Sequence, residues 1–324
     1  MAEISAISWT HSTFNPWSGC VKVSAGCANC YAANLPPAMR RGAAWGKGLP
    51  RVHASDAYWN EPHRWNAAAL KAGERRRVFC ASTADVFEDR DDLDAARARL
   101  FALIEDTSDL DWLLTTKRAD AIMRRVPAQW RILFPSNVWM LVSVEDQKAA
   151  DARIPWLLKV PAIVRGLSME PLLGPVDLDD WIGRIDHCES CGAENEATGP
   201  DVCPTCGSTA GMISTLGEAQ AERFRTGERY DEDSADGRRD IAGKSWSINW
   251  IITGGESGRN ARPMEVGWVN DIHRQAKAAG VAVHHKQMGA AWAGVNGAAH
   301  KKGGDPAEWP ESFRSREFPE VSGV

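Results

Sequence analysis

The chain is 324 residues long, 44% apolar and 25% charged, with a formal net charge of −5 at neutral pH. Such a length buries one large α/β core, or one domain carrying an insertion, and the mild acidity gives no global reason for tight binding to a phosphate backbone. No run reaches the roughly 20 apolar residues that cross a bilayer and no basic-then-apolar leader opens the chain, so the expectation is a cytoplasmic protein without membrane contact.

A first strand is predicted near Ile7-Ser8-Trp9, followed by Cys20, Cys27 and Cys30 in Gly-Cys-x6-Cys-Ala-Asn-Cys-Tyr. In a reducing cytoplasm clustered cysteines read as metal ligands rather than disulfides. Three thiolates with no fourth nearby suit a 4Fe–4S cluster that leaves one iron open, as radical S-adenosylmethionine (SAM) enzymes hold theirs. They also suit a closed zinc site with His11 as fourth donor. Spacing alone does not choose between the two.

Short runs rich in branched and aromatic residues then recur at 78–81, 112–115, 138–142, 162–165, 248–252 and 281–285. Their composition is that of strands covered on both faces. Helices are predicted over Leu93–Glu105, Ala119–Arg125 and Val266–Ala279. The alternation implies right-handed crossovers and a parallel sheet, hence an α/β fold built on a complete or partial β/α barrel. Tryptophans such as Trp9, Trp17, Trp112, Trp139, Trp181 and Trp250 sit in or beside these runs and read as core filling.

The strands end in polar clusters: Ser82-Thr83-Ala84-Asp85, Thr116-Lys117-Arg118, Ser143-Val144-Glu145-Asp146, Ser168-Met169-Glu170-Pro171, Thr253-Gly254-Gly255-Glu256-Ser257 and Lys286-Gln287. In a barrel such ends share one rim, where active sites are built, and the three cysteines follow the first strand onto it. Ser143, Glu145, Glu170 and Glu256 are acceptors for an ammonium or a ribose, while Gly254 and Gly255 allow close backbone approach. A plain turn with a solvated glutamate explains Gly-Gly-Glu equally well. Lys117 and Arg118 either orient a substrate carboxylate or phosphate, or form a helix-start pair salt-bridged to Asp85 or Asp120. Lys286 either completes the ring or is a buried lysine paired with a neighbouring carboxylate. These three cations are the candidate catalytic residues. His284 and His285 end the last strand, where alternation sends one inward and one outward.

A second cysteine cluster interrupts the pattern. Cys188-Glu-Ser-Cys191 and Cys203-Pro-Thr-Cys206 carry the spacing of a zinc ribbon closed by four thiolates. The expected organisation is the first part of the barrel over 1–182, the ribbon over 183–213, a charged linker over 214–246, the rest of the barrel over 247–292, and a tail over 293–324 lying loosely on the surface.

Trp17-Ser-Gly-Cys20-x6-Cys27-Ala-Asn-Cys30-Tyr31-Ala32, Thr116-Lys117-Arg118, Val142-Ser-Val-Glu145-Asp-Gln147, Ser168-Met-Glu170-Pro-Leu-Leu-Gly174-Pro-Val176, Gly254-Gly-Glu-Ser257 and His285-Lys-Gln287 stand in one order along the chain. In that order they resemble the phage and prophage gene product thirty-seven/sixty-eight family, the three-cysteine-motif proteins. The resemblance implies a divergent radical-SAM barrel with a 4Fe–4S cluster on Cys20, Cys27 and Cys30, and SAM on the rim. It also implies an electron donor, a nucleotide or nucleic-acid substrate and a partner protein encoded nearby. Two features depart from the common radical-SAM pattern: the first cysteine gap is six residues, and Gly-Gly-Glu comes late rather than after the second strand. A rival reading is a non-enzymatic zinc-binding phage protein that binds nucleic acid or a protein partner. A third is a barrel hydrolase using a metal-bound water.

Overall fold

The computed structural model describes residues 5–182, 185–188, 194–196, 212–213 and 248–321. The chain enters through β1 (Ser12–Phe14), a two-stranded ribbon of β2 (Trp17–Ser18) and β3 (Val52–His53), and helices α1 (Asp56–Trp59) and α2 (Glu61–Ala72). It then alternates β4 (Arg76–Cys80), α3 (Asp94–Glu105), β5 (Leu110–Thr116), α4 (Ile122–Arg125), β6 (Val138–Ser143), α5 (Gln147–Leu157) and β7 (Val164–Met169). Three short strands follow, β8 (Ile185–Cys188), β9 (Glu194–Glu196) and β10 (Met212–Ile213), before β11 (Trp250–Gly254), α6 (Val266–Ala278), β12 (Ala282–Gln287) and α7 (Ala290–Asn296).

Seven strands make one sheet in the order β1-β4-β5-β6-β7-β11-β12, every neighbouring pair parallel. Successive side chains alternate between its faces. Val78, Trp112, Met140, Leu167, Ile251 and Val283 meet the helices, while Leu113, Trp139, Leu141, Trp250 and Ile252 fill the other face with Trp9. The sheet curls into a half-barrel around that second set. Its two ends approach each other: Ser8, ahead of β1, has its hydroxyl 2.9 Å from Nε2 of His284 on β12. Trp9 lies 6.3 Å edge-on from Trp250, which lies 5.7 Å from Trp139.

The first strand falls at Ser12–Phe14 rather than at Ile7–Trp9, because Trp9 turns into the barrel and is buried there. The predicted helices at Leu93–Glu105 and Val266–Ala279 appear as Asp94–Glu105 and Val266–Ala278, whereas Ala119–Arg125 divides into a 3-10 turn and the short α4. The tail corrects the expectation of a loose surface segment. Trp309 and Phe313 are buried, the His285 N–H donates to the Ser315 carbonyl at 2.9 Å, and the Glu317 N–H donates to the Val283 carbonyl at 2.9 Å. Phe318 packs 5.4 Å from Trp250 with the Arg77 guanidinium 3.8 Å from its ring centre. The reason is physical: β12 is an edge strand, and the tail covers its unpaired backbone groups.

β8 pairs antiparallel with both β9 and β10 in a separate small sheet. Cys191, Cys203 and Cys206 of the predicted ribbon, and the 214–246 linker, lie outside the described residues, as does the side chain of Cys188. No helix among the described residues is long and apolar enough to cross a membrane.

Candidate functional site

Along the strands the barrel interior changes from rings to hydroxyls and charge. Trp139, Leu141 and Ser143 succeed one another inside β6, and Trp250 and Ile252 lie inside β11; Ser168 on β7 and Lys286 on β12 stand near the carboxyl ends. Above the apolar floor a cavity of about 520 Å³ opens at that rim. Cys20, Cys27 and Cys30 line it together with Lys117, Arg118, Ser143, Ser168, Glu170, Gly255, Glu256 and Lys286. Glu145 and Gly254 are not on its wall.

Strand ends fasten the cysteine segment at several points. The Gly19 N–H donates to the Thr83 carbonyl at 3.0 Å, and the Ser18 and Thr83 hydroxyls are 2.9 Å apart. Buried Asn15 accepts the Thr83 N–H at 2.8 Å, tying the exit of β1 to that of β4. Arg118 donates to the Val21 carbonyl at 3.0 Å and to Asp85 at 2.7 Å, and its Nη1 lies 3.7 Å from Cys20 Sγ. Asp85 also accepts the Thr116 hydroxyl at 2.7 Å. Asp120 pairs with Arg124 instead, so Asp85 is the partner of Arg118, and the arginine is both a salt-bridge member and a brace for the first cysteine.

Glu145 and Glu256 brace the other two. Glu145 is buried, accepts from Arg153 at 2.7 Å, and takes the N–H of Gly26 at 3.3 Å. A Cβ at Gly26 would lie 3.0 Å from that carboxyl carbon, a tight contact for which the Glu145 side chain would have to give by a few tenths of an ångström. Glu256 accepts Asn29 Nδ2 at 3.0 Å, the Arg262 N–H at 2.8 Å and Arg262 Nη2 at 2.6 Å. Arg262 reaches on to the Ala25 carbonyl at 3.0 Å. Burial opposes ionisation of both carboxyls, but the arginines outweigh it and hold both below the usual carboxylate range. At Cys20, burial and then the Asp85 charge push the thiol up to about 12. A bound metal cation reverses that preference, since coordinated thiols lose their proton.

Gly255 is explained by backbone crossing. A Cβ there would lie 2.3 Å from the Met288 carbonyl oxygen, and the Gly255 N–H donates to the Gln287 carbonyl at 2.9 Å. Lys286 pairs with Glu170 at 2.5 Å, and Lys117 donates to the Ser143 hydroxyl at 2.9 Å. His284 faces the barrel interior beside Trp250, and His285 faces outward against Trp309 and Phe313.

His11 corrects the closed-zinc alternative. It is exposed beside the amino end of β1, its Nδ1 accepts the Arg77 N–H at 2.8 Å, and it is not on the cavity wall. The rim and the start of β1 are opposite ends of the barrel, so this imidazole is no fourth ligand to a metal held by the cysteines. Among the described residues no three His, Cys, Asp or Glu side chains form a group fit for a single metal ion; one zinc would draw its sulfurs to within about 4 Å of each other. All three cysteines are free thiols at the cavity. The carboxylates beside them, Asp85, Glu170 and Glu256, are each taken by a cation. This donor chemistry fits a thiolate-held cluster with one corner left open by the side chains of the described residues.

Residues 4–310 match the family described as "Protein of unknown function (DUF5131)". The chain belongs to the DUF5131 family. No curated protein matches it. Among solved structures, this DUF5131 chain has a partial likeness to a cysteine-to-serine mutant of spore photoproduct lyase, at 16% identity over 52% of this chain and 47% of that one, with a TM-score of 0.36. A second, a double mutant of spore photoproduct lyase with bound AdoMet and dinucleoside spore photoproduct, gives 14% identity over 49% and 45% of the two chains and a TM-score of 0.32. The DUF5131 chain thus spans about half the length of these structures.

Proposed function

We propose that this protein is an iron–sulfur enzyme of the radical-SAM type, acting on a nucleotide or nucleic-acid base. The observation that carries the reading is the placement of Cys20, Cys27 and Cys30 on one cavity wall at the carboxyl rim of a parallel half-barrel, with His11 far from them. Cys20, Cys27 and Cys30 would hold a 4Fe–4S cluster there, and the chemistry it would supply is one-electron reductive cleavage of the SAM sulfonium, with methionine as the leaving group.

The chain's own residues bind, orient and exclude water. Ser143, Glu170, Gly255 and Glu256 face the cavity and are assigned to SAM, with polar and backbone groups for its ammonium and ribose. Glu145 and Gly254 act from behind the wall, Glu145 by holding the cysteine loop at Gly26. Arg118 positions Cys20, Lys117 is assigned to the substrate, and Lys286 fixes the Glu170 carboxylate. The reading requires an external electron donor, and it keeps Cys188, Cys191, Cys203 and Cys206 as a separate structural zinc site.

Anaerobic reconstitution with iron and sulfide is expected to give a brown protein absorbing near roughly 400 nm. With reductant and SAM it should release 5′-deoxyadenosine. A colourless product holding only zinc would sink the proposal.

A further inference from the structure

We infer that the cavity receives single-stranded nucleic acid, one nucleotide inside and its neighbouring phosphates on wall cations that no described carboxylate neutralises. The inference rests on the reading of this cavity as a substrate site and needs neither metal nor SAM. It comes from charge. The chain as a whole carries −5, yet the cavity wall has the opposite sign. Its three carboxylates are each matched, Asp85 by Arg118 at 2.7 Å, Glu170 by Lys286 at 2.5 Å and Glu256 by Arg262 at 2.6 Å. Lys22, Lys117, Lys302 and Arg316 also line the wall, and none of them pairs with a carboxylate among the described residues.

These four differ in depth. Lys117, just past β5, is half-buried and donates to the neutral Ser143 hydroxyl, while Thr115 Oγ1 on β5 is buried without a partner. A shielded ammonium on a neutral acceptor keeps its desolvation cost until an anion arrives. Lys22, Lys302 and Arg316 are exposed and come from three separate segments: the cysteine loop, the turn after α7 and the tail. Charges separated in this way suit a chain of phosphates better than one carboxylate. Tyr31 and Trp45 line the same wall, and the Tyr31 hydroxyl donates to the Ser82 carbonyl at 2.7 Å, which anchors that ring. Aromatic faces beside a basic track are how unpaired bases are held. A cavity of about 520 Å³ takes one extruded nucleotide and excludes a duplex.

The test uses the full chain without metal or SAM, so failure of cluster assembly and failure of this inference are read separately. Fluorescence anisotropy follows a labelled single strand of about 12 nucleotides, as DNA and as RNA, against the same sequence as a duplex and a mononucleotide competitor. Both strands, or one of them, should bind more tightly than duplex and mononucleotide. The slope of log affinity against log salt should fall in magnitude by about 0.7 for each of Lys22→Met, Lys302→Met and Arg316→Met. Arg316→Lys, which keeps the charge, should restore the slope, and thermal melts check that the variants fold. A duplex bound as tightly as the strand, a mononucleotide that competes equally, no strand binding, or an unchanged slope in the triple variant would each overturn the inference.

Discussion

Acid should unfold this protein through two adjacent histidines on β12. His284 and His285 are 1% and 0% exposed, on opposite faces of the same strand. Inside the barrel, His284 lies against Phe318 and Trp250, with Ser8 on Nε2 and Nδ1 unpartnered. Outside it, His285 shares a hydrogen bond of 2.8 Å with the Thr253 hydroxyl and stands among His273, Trp309 and Phe313. Burial, then the charges of Arg316, Arg77 and Lys286, hold His284 at about 3; burial, then His273, His284 and Arg316, hold His285 at about 3. The unfolded chain takes up each proton near pH 6.5 and the folded chain does not, so below that pH the unfolded state binds more protons. Each histidine therefore costs about 1.4 kcal/mol of stability per pH unit as pH falls through this window, and neither contributes above it.

From about pH 6.5 to about pH 5 the pair removes about 3 kcal/mol, a large share of a typical folding free energy of about 5–15 kcal/mol. Glu145 and Glu256 lie below the usual carboxylate range, so their loss comes at lower pH and leaves the window clear. His11 and His273 are lowered as well and act in the same direction. Urea unfolding followed by tryptophan fluorescence across this range measures the effect, and His285→Gln should remove close to half of the pair's slope whatever its own stability. An unfolding midpoint that does not move, or a His285→Gln variant with the native slope, would refute the reasoning.

Three further outcomes are expected. Gly255→Ala places a methyl 2.3 Å from the Met288 carbonyl oxygen, and should cost about 3 kcal/mol or more in thermal or urea unfolding; native stability would show that the crossing yields. Glu256→Gln removes the carboxylate charge opposite partly exposed Arg262, and should cost about 2 kcal/mol and lower iron uptake on reconstitution, whereas full iron at native stability would detach this carboxylate from the cysteine loop. Phe318→Ala empties the space beside Trp250 and Arg77, and should cost about 2 kcal/mol; a variant as stable as the parent in urea would mean that the tail does not close the barrel.

Periodicity made the sheet legible. The apolar runs at 112–115 and 138–142 lie wholly on β5 and β6, and those at 78–81, 162–165, 248–252 and 281–285 overlap β4, β7, β11 and β12, because strands covered on both faces have a composition that loops lack. Trp9 misled for the same reason, since an aromatic residue turned into the barrel looks in sequence like one within a strand. The tail was illegible because it is rich in Gly, Lys and Pro and shows no apolar run, while Trp309, Phe313 and Phe318 anchor it against a strand distant in sequence. At the site, strand ends predicted which residues share a rim, but not their partners. Arg153 and Arg262 carry no motif, and only the fold shows that they turn Glu145 and Glu256 toward the cysteine loop. The basic wall was hidden by an average: a net charge of −5 is silent about Lys302 and Arg316 arriving beside Lys22.

The braces on the cysteine loop come from different strand ends. Arg118 follows β5, Glu145 follows β6 and Glu256 follows β11, and they seize the loop near Cys20, at Gly26 and at Asn29 respectively. The described regular structure between residues 20 and 30 is a single 3-10 turn, Ala25–Cys27, too short to fix three thiols by itself. The spacing of the sulfurs is therefore set by the spacing of the strands, and that depends on the curl of the sheet. The interior rings of Trp9, Trp139 and Trp250 hold the curl from within, and the Ser315–Phe318 segment holds it at the β12 edge. Core packing at the amino end and thiol geometry at the carboxyl rim are thus linked through rigid strands, with the cavity between them.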